Sequence, residues 1–167
     1  YLDKVPYGVV ELVRRLGGTV SGSGGLVTTF ASAWNAAELA GHLQAAEALA
    51  RIANEALRWA VTQGGTGLTE SALQRRVVDA IHAAGLVFDH APIVGFGPNA
   101  ANPHYEPVAG QDLTLAPDQV VLLDLWAGPR LGTVFADQTW MGFSGRTVPA
   151  KVQEVWRTVR DARDAAI

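Results

Sequence analysis

The sequence predicts an α+β domain in which helices pack on an antiparallel sheet. Three observations carry that expectation. As far as about residue 84, apolar residues recur mainly at helical intervals. From Pro92 the period shortens to two, in brief strand-like runs parted by Gly, Pro and Asn. A helical pattern then returns from about Pro149. Helices, antiparallel strands and a last helix favour α+β over a doubly wound sheet.

The elements follow in order. "GVVELVRRL" (8–16) reads as a helix ended by Gly17-Gly18. "TVSGSGGLVTTF" reads as a short strand and a turn, with Ser23 able to cap one more helical turn; no Gly-Lys-Ser/Thr follows its glycines, so a phosphate-binding loop is rejected. Asn35, with Glu38 three residues on, forms the signature of a capping box before "AAELAGHLQAAEALARIANEALRWAV", and Gly64-Gly65 stop that helix. Thr69 caps a second one, "ESALQRRVVDAIHAA", which Gly85 closes. "PIVGFG" is a strand, and "PNAANPHYEPVAGQ", with three prolines, is a loop. "QVVLLDLWA" and "TVFADQTWMGF" form a β-hairpin around "GPRLG".

Composition excludes several classes of function. The chain has 167 residues, is 49% hydrophobic and 17% charged, and carries a net charge of −3, as an ordinary globular domain does. It contains no cysteine, so disulfides and thiolate metal sites are ruled out and any metal must be held by oxygen or imidazole. Thirteen Lys and Arg are scattered without a basic block, which argues against nucleic acid. No apolar run approaches the roughly 20 residues that span a bilayer, and no signal-peptide pattern opens the chain; the expectation is a soluble, cytoplasmic protein without membrane partners. The chain starts at Tyr1 and stops at Ile167 inside the helix pattern "AKVQEVWRTVRDARDAAI", the expected look of a piece of a longer polypeptide.

The chemistry concentrates in "VVLLDLWAGPRLGTVFADQTW", where Asp124 and Asp137 each stand among apolar neighbours. A simple hairpin centred between Arg130 and Leu131 sets the two aspartates directly opposite one another on a shared face. Such Cβ atoms lie roughly 4.5–5.5 Å apart, where like charges repel. Part-buried carboxylates in that arrangement need a shared proton, a buried Arg or Lys, or a bound cation. A proton-sharing aspartic protease would carry Asp-Thr/Ser-Gly, unlike "DLW" and "DQT", and nothing else in the chain supports a retaining glycosidase. Two hard divalent ions suit such a pair best. The plainer alternative leaves Asp137 exposed on an edge strand and Asp124 bonded to a backbone N–H.

"GPNAANPHYEP", followed by "VVLLDLWA" and "FADQTWMGF", resembles in order and character the catalytic domain of the M24 metallopeptidases, the pita-bread family of aminopeptidase P, prolidase and methionine aminopeptidase. "VELVRRLGGTV" and the helix from Asn35 resemble segments that lead into that domain in Xaa-Pro peptidases. The resemblance implies an incomplete pita-bread fold, with 1–33 as a connecting segment and 34–167 as the N-terminal part of the catalytic domain. It implies a metal-dependent exopeptidase that cleaves Xaa-Pro bonds with two divalent ions (Mn, Co or Zn). Asp124 matches the first metal-binding aspartate, Asp137 the bridging second, and His104 in "NPHY" the histidine that contacts substrate or intermediate.

The sequence departs from the family pattern in three ways. The gap between the aspartates is two residues longer than is common, "DQTW" replaces the usual Asp-x-Thr-Arg, and the family's remaining histidine and two glutamates do not appear before the chain ends. The 167 residues alone are therefore expected to be inactive. A peptide is the implied partner, and a homodimer is admitted because similar proteins are often dimers. The alternatives are a non-catalytic binding module on the same fold and a metal-free creatinase-like hydrolase, and the paired aspartates disfavour both.

Other candidates are set aside on physical grounds. "GFGPNA" fits the dinucleotide fingerprint, with Asp118 downstream, but Pro103 forces Asn102 away from helical angles and no helix can follow. His42 with Glu38 reads as a surface helix pair. His82 reads as a structural, partly buried residue. His90 reads as an ordinary histidine, with a place in a substrate pocket as the sharper alternative. The five tryptophans read as packing residues, with Trp126 or Trp140 able to border a substrate site. "RTVRDARDAA" reads as a solvated helix face.

Overall fold

The computed structural model of the protein describes residues 5–166, except the side chains of Val27 and Ala31. Ile167, the last residue of the predicted C-terminal helix, lies outside the described residues, as do the first four residues of the predicted connecting segment. The chain falls into two units, divided between Ala40 and Gly41.

The first unit holds α1 (Tyr7–Arg15), α2 (Gly24–Ala31) and the start of α3 (Ala36–Val61). Residues 24–31 correct the expectation of a short strand and a turn with a single helical turn after Ser23: the helix that starts after Ser23 runs for eight residues, and the Ser23 side chain makes no capping bond to it. The backbone is helical, and the Thr29 hydroxyl donates to the Gly25 carbonyl at 2.9 Å, the i to i−4 back-bond that threonine makes in a helix. At the start of α3 the capping box forms as its residues dictate. Asn35 Oδ1 accepts from the amides of Ala37 and Glu38, both at 2.9 Å, and Glu38 returns an oxygen to the Asn35 amide at 2.8 Å.

In the second unit α3 continues and α4 (Glu70–Ala83) follows, with Thr69 Oγ1 accepting from the Ala72 amide at 3.2 Å. Gly85 closes α4 at φ 73°, a left-handed conformation that suits glycine. Strand β1 (Ile93–Phe96) comes next, then a short 3-10 turn (Gly97–Ala101), β2 (Val120–Ala127), β3 (Ala136–Phe143) and α5 (Ala150–Ala166). Asn102 is extended at φ −100° and ψ 107°, so the 3-10 turn stops there, no α-helix opens on "GFGPNA", and the dinucleotide reading fails for the reason given.

The sheet is antiparallel, in the order β1-β2-β3. Alternation along β2 sorts its residues onto two faces. Val121, Leu123, Leu125 and Ala127 are buried in a core with Ala45, Leu49, Ile52, Ala53 and Leu57 of α3 and with Leu73, Val77 and Ile81 of α4. Leu122, Asp124 and Trp126 point to the other face.

Gly95 on β1 pairs with Leu122, so a side chain there would share the face of Asp124. A Cβ at Gly95 would lie 2.9 Å from the Asn99 carbonyl carbon and oxygen, which shows that the 3-10 turn folds back across that same face. Replacing Gly95 with alanine must therefore displace backbone. We expect a loss of roughly 1–3 kcal/mol, as for overpacking, in urea-induced unfolding of the Gly95→Ala variant.

Candidate active site

The register across β2 and β3 pairs Asp124 with Thr139 and Trp126 with Asp137. This corrects the expectation of directly opposed aspartates. The hairpin is centred one residue later than a simple turn through "GPRLG" would place it, because β2 ends at Ala127, β3 begins only at Ala136, and Gly128 turns aside to bridge Val87. The offset is an even number of residues, so the shared face survives.

Asp124 and Asp137 become diagonal neighbours, with Cβ atoms up to ~7–8 Å apart rather than in direct contact. Asp124 is half-buried and accepts the Thr139 hydroxyl at 2.6 Å, not a backbone N–H as the plainer alternative had it. Asp137 is exposed on the edge strand, as that alternative expected.

The electrostatics of the pair agree with this geometry. Desolvation pushes the Asp137 carboxyl above its ordinary value, and the nearby Asp124 charge pushes it further the same way. No cation among the described residues offsets either effect. Nor does any group of three or more His, Asp or Glu side chains converge into a metal-binding cluster among the described residues. The two carboxylates are hard oxygen donors on one face and suit a divalent cation, as two ligands of a larger set.

Trp126 belongs to this face and Trp140 does not. The Trp126 indole N–H donates to Asp89 Oδ1 at 2.8 Å, and that bond first of all holds the Asp89 carboxyl below its usual range. His90 Nδ1 lies 3.4 Å from the same oxygen. Trp140 packs against the core and donates to Gln138 Oε1 at 2.9 Å. Of the other histidines, His42 Nδ1 lies 3.2 Å from the Phe135 carbonyl oxygen, on the approach to β3. His82 is exposed rather than partly buried, and its ring stacks on Phe88 with centroids 5.2 Å apart.

His104 is exposed in the loop after the 3-10 turn, and its amide donates to Asn102 Oδ1 at 3.1 Å. No hydrogen bond or ion pair joins it to either aspartate among the described residues. The loop itself is anchored by a residue that the sequence reading treated as an ordinary helix position, the fully buried Glu70. Its carboxyl accepts from the amides of Phe96 and Leu113, the Asn99 side chain and the Tyr105 hydroxyl. Burial, helped by the bond to Glu70, pushes Tyr105 up to about 12, so its hydroxyl stays a donor at any ordinary pH. Only the position of Glu70 at a helix start, where an acid is favoured anyway, marked it in the sequence.

Residues 43–167 match the model of the family described as Metallopeptidase family M24. Among curated proteins, no sequence match is found. Similar solved structures include the prolidase from Pyrococcus horikoshii OT3, at 21% identity and TM-score 0.65, with 99% of this chain and 46% of that one covered. The aminopeptidase PepP of Pseudomonas aeruginosa superposes at 21% identity and TM-score 0.66, over 95% of this chain and 35% of that one. For the dipeptidase PepE from Mycobacterium ulcerans the values are 24%, 0.62, 83% and 36%. The chain thus spans less than half the length of each. The likeness is one of fold, and the helices on an antiparallel sheet are those of the pita-bread enzymes.

The raised Asp137 carboxyl has a consequence for stability. Its contribution is fully present below the ordinary carboxylate range and is lost as pH rises through the raised folded value. Asp137→Asn removes that loss. In metal-free buffer at pH 7 the variant should melt roughly 1–3 °C higher than the wild type, and the difference should vanish near pH 3, as read by thermal unfolding followed by circular dichroism.

Proposed function

The chain belongs to metallopeptidase family M24, and we propose that it forms the N-terminal part of a metal-dependent exopeptidase that cleaves Xaa-Pro bonds. On this reading 34–167 are the first part of the catalytic domain, and 1–33 lead into it. The observation that carries the proposal is the diagonal pair of aspartates on one sheet face, with desolvation and mutual repulsion acting on Asp137.

Asp124 and Asp137 would hold divalent cations, Mn²⁺, Co²⁺ or Zn²⁺. A cation relieves their repulsion, and a diagonal placement, whose Cβ atoms typically lie up to about 7–8 Å apart, leaves room that direct opposition would not. When bound, a pair of such ions supplies Lewis-acid polarisation of the scissile carbonyl and lowers the pKa of a water. Thr139 orients Asp124 by occupying one of its oxygens. His104 would meet the substrate or the charge that develops on it, delivered by a loop whose first turn crosses the aspartate face. Trp126, directly across from Asp137, would offer an apolar wall beside the site. The remaining ligands, a histidine and two glutamates, and with them the general base, would come from outside these residues.

The support from known proteins is the family match, together with structural neighbours described as prolidase, aminopeptidase and dipeptidase. The test is a Mn²⁺ titration of the full-length protein, followed by thermal unfolding and by cleavage of an Xaa-Pro dipeptide. At a hundredfold excess over Kd, the ion should stabilise the wild type by about 2.7 kcal/mol. Asp124→Asn should lose most of that stabilisation and roughly 100-fold or more in kcat/KM. Equal activity in the two proteins would end the assignment.

A further inference from the structure

One carboxylate in the described residues is fully buried and has no part in the proposed reaction. It is Glu70, the first residue of α4. Its oxygens gather donors from three stretches of chain. The Phe96 amide reaches Oε1 at 2.6 Å, the Asn99 side-chain amide lies 3.1 Å from both oxygens, and Oε2 receives the Tyr105 hydroxyl at 2.6 Å and the Leu113 amide at 2.9 Å.

Two of these partners bracket His104. On the near side, the Asn99 carbonyl accepts the Asn102 amide at 3.1 Å, and Asn102 Oδ1 accepts the His104 amide at 3.1 Å. On the far side, Tyr105 follows His104 directly, and its own amide returns to the Asn102 carbonyl at 3.2 Å. His104 is exposed, so its placement depends on these neighbours rather than on packing of its own ring.

The geometry points to Glu70 as a positioning residue for His104: through Asn99 and Tyr105 it holds both ends of the turn that carries the histidine. The assignment rests on the proposed role of His104 in meeting substrate. A purely architectural Glu70 would need donors for its lone pairs but no particular ones; two of those it has are the side chains of Asn99 and Tyr105, on either side of His104.

Tyr105→Phe isolates the question, because it deletes one hydroxyl and leaves the ring and the other Glu70 bonds in place. Glu70→Gln is the companion variant. It keeps the shape but replaces one acceptor oxygen with an NH2 donor that faces other donors; Asn99→Ala takes its place should it fail to fold. Three measurements on the full-length protein decide the matter: the heteronuclear NOE of the His104 amide by NMR, kcat and KM for an Xaa-Pro dipeptide, and the same kinetics in a His104→Ala background.

We expect Tyr105→Phe to lower the His104 NOE towards that of a mobile loop and to reduce kcat roughly 10–100-fold with little change in KM. In the His104→Ala background it should cost nothing more, since a positioning role has no target once the histidine is gone. An unchanged NOE and kcat alongside a lower melting temperature would overturn the inference and leave Glu70 architectural. So would equal losses in both backgrounds. A wild type that cleaves no Xaa-Pro peptide, with the NOE still falling in Tyr105→Phe, would sink the peptidase reading while upholding the hold of Glu70 on His104.

Discussion

A fully buried carboxyl group is tolerable only when nearly every lone pair finds a donor, and Glu70 meets that condition. No Lys or Arg pairs with it among the described residues; amides, an asparagine and a tyrosine do so instead. Two of those donors are backbone amides that would otherwise lack partners, Phe96 on the outer edge of β1 and Leu113 in the long loop. The bonds thus satisfy the carboxylate and the backbone together. The edge of β1 is closed in this way against unwanted strand pairing. The start of α4, the strand, the 3-10 turn and the 102–113 loop all meet at one side chain. Removing it would leave several buried donors orphaned at once.

The same economy shapes the sheet. β2 is the middle strand, buried against α3 and α4 on one face through Val121, Leu123, Leu125 and Ala127. That face fixes its orientation, because a slip of one residue would turn all four outwards. The other face is then free of the duty of packing on the helices, and it is there that Asp124 stands. A carboxylate in the middle of "VVLLDLW" is therefore compatible with a buried strand. Its apolar neighbours at odd positions serve the core, while Leu122 and Trp126 share its own face.

Much of this was legible in the residues. The capping box at Asn35 and the cap at Thr69 depend on local spacing, and the structure forms both. The two long strands announced themselves by alternation. What was not legible depended on contacts distant in sequence or on competing local preferences. Residues 24–31 mix glycines with β-branched residues, which favour a strand by propensity, yet the helix runs past the single turn expected after Ser23, and Thr29 bonds back to Gly25. The register of the hairpin was misjudged by two residues, since nothing in "GPRLG" shows that Gly128 will pair with Val87 instead of continuing towards β3. Glu70 was invisible as a hub because its partners lie 26–43 residues away, at the end of β1, in the 3-10 turn and in the loop that follows, where no periodicity points back to it.

The misjudged register bears on the chemistry more than on the fold. Two carboxylates in direct opposition at roughly 5 Å would repel strongly and leave little space between their oxygens. The diagonal placement keeps both on one face while separating them, and Thr139 takes the place directly across from Asp124, giving it a hydroxyl donor in place of a second negative charge. Repulsion is thereby reduced but not removed, for the Asp137 carboxyl is still pushed upwards. A packing-only sheet would gain from an amide or a hydroxyl at position 137. Residual strain between like charges on a rigid sheet, with a pinned polar loop beginning across the same face, is the arrangement that a positive counter-ion would relieve.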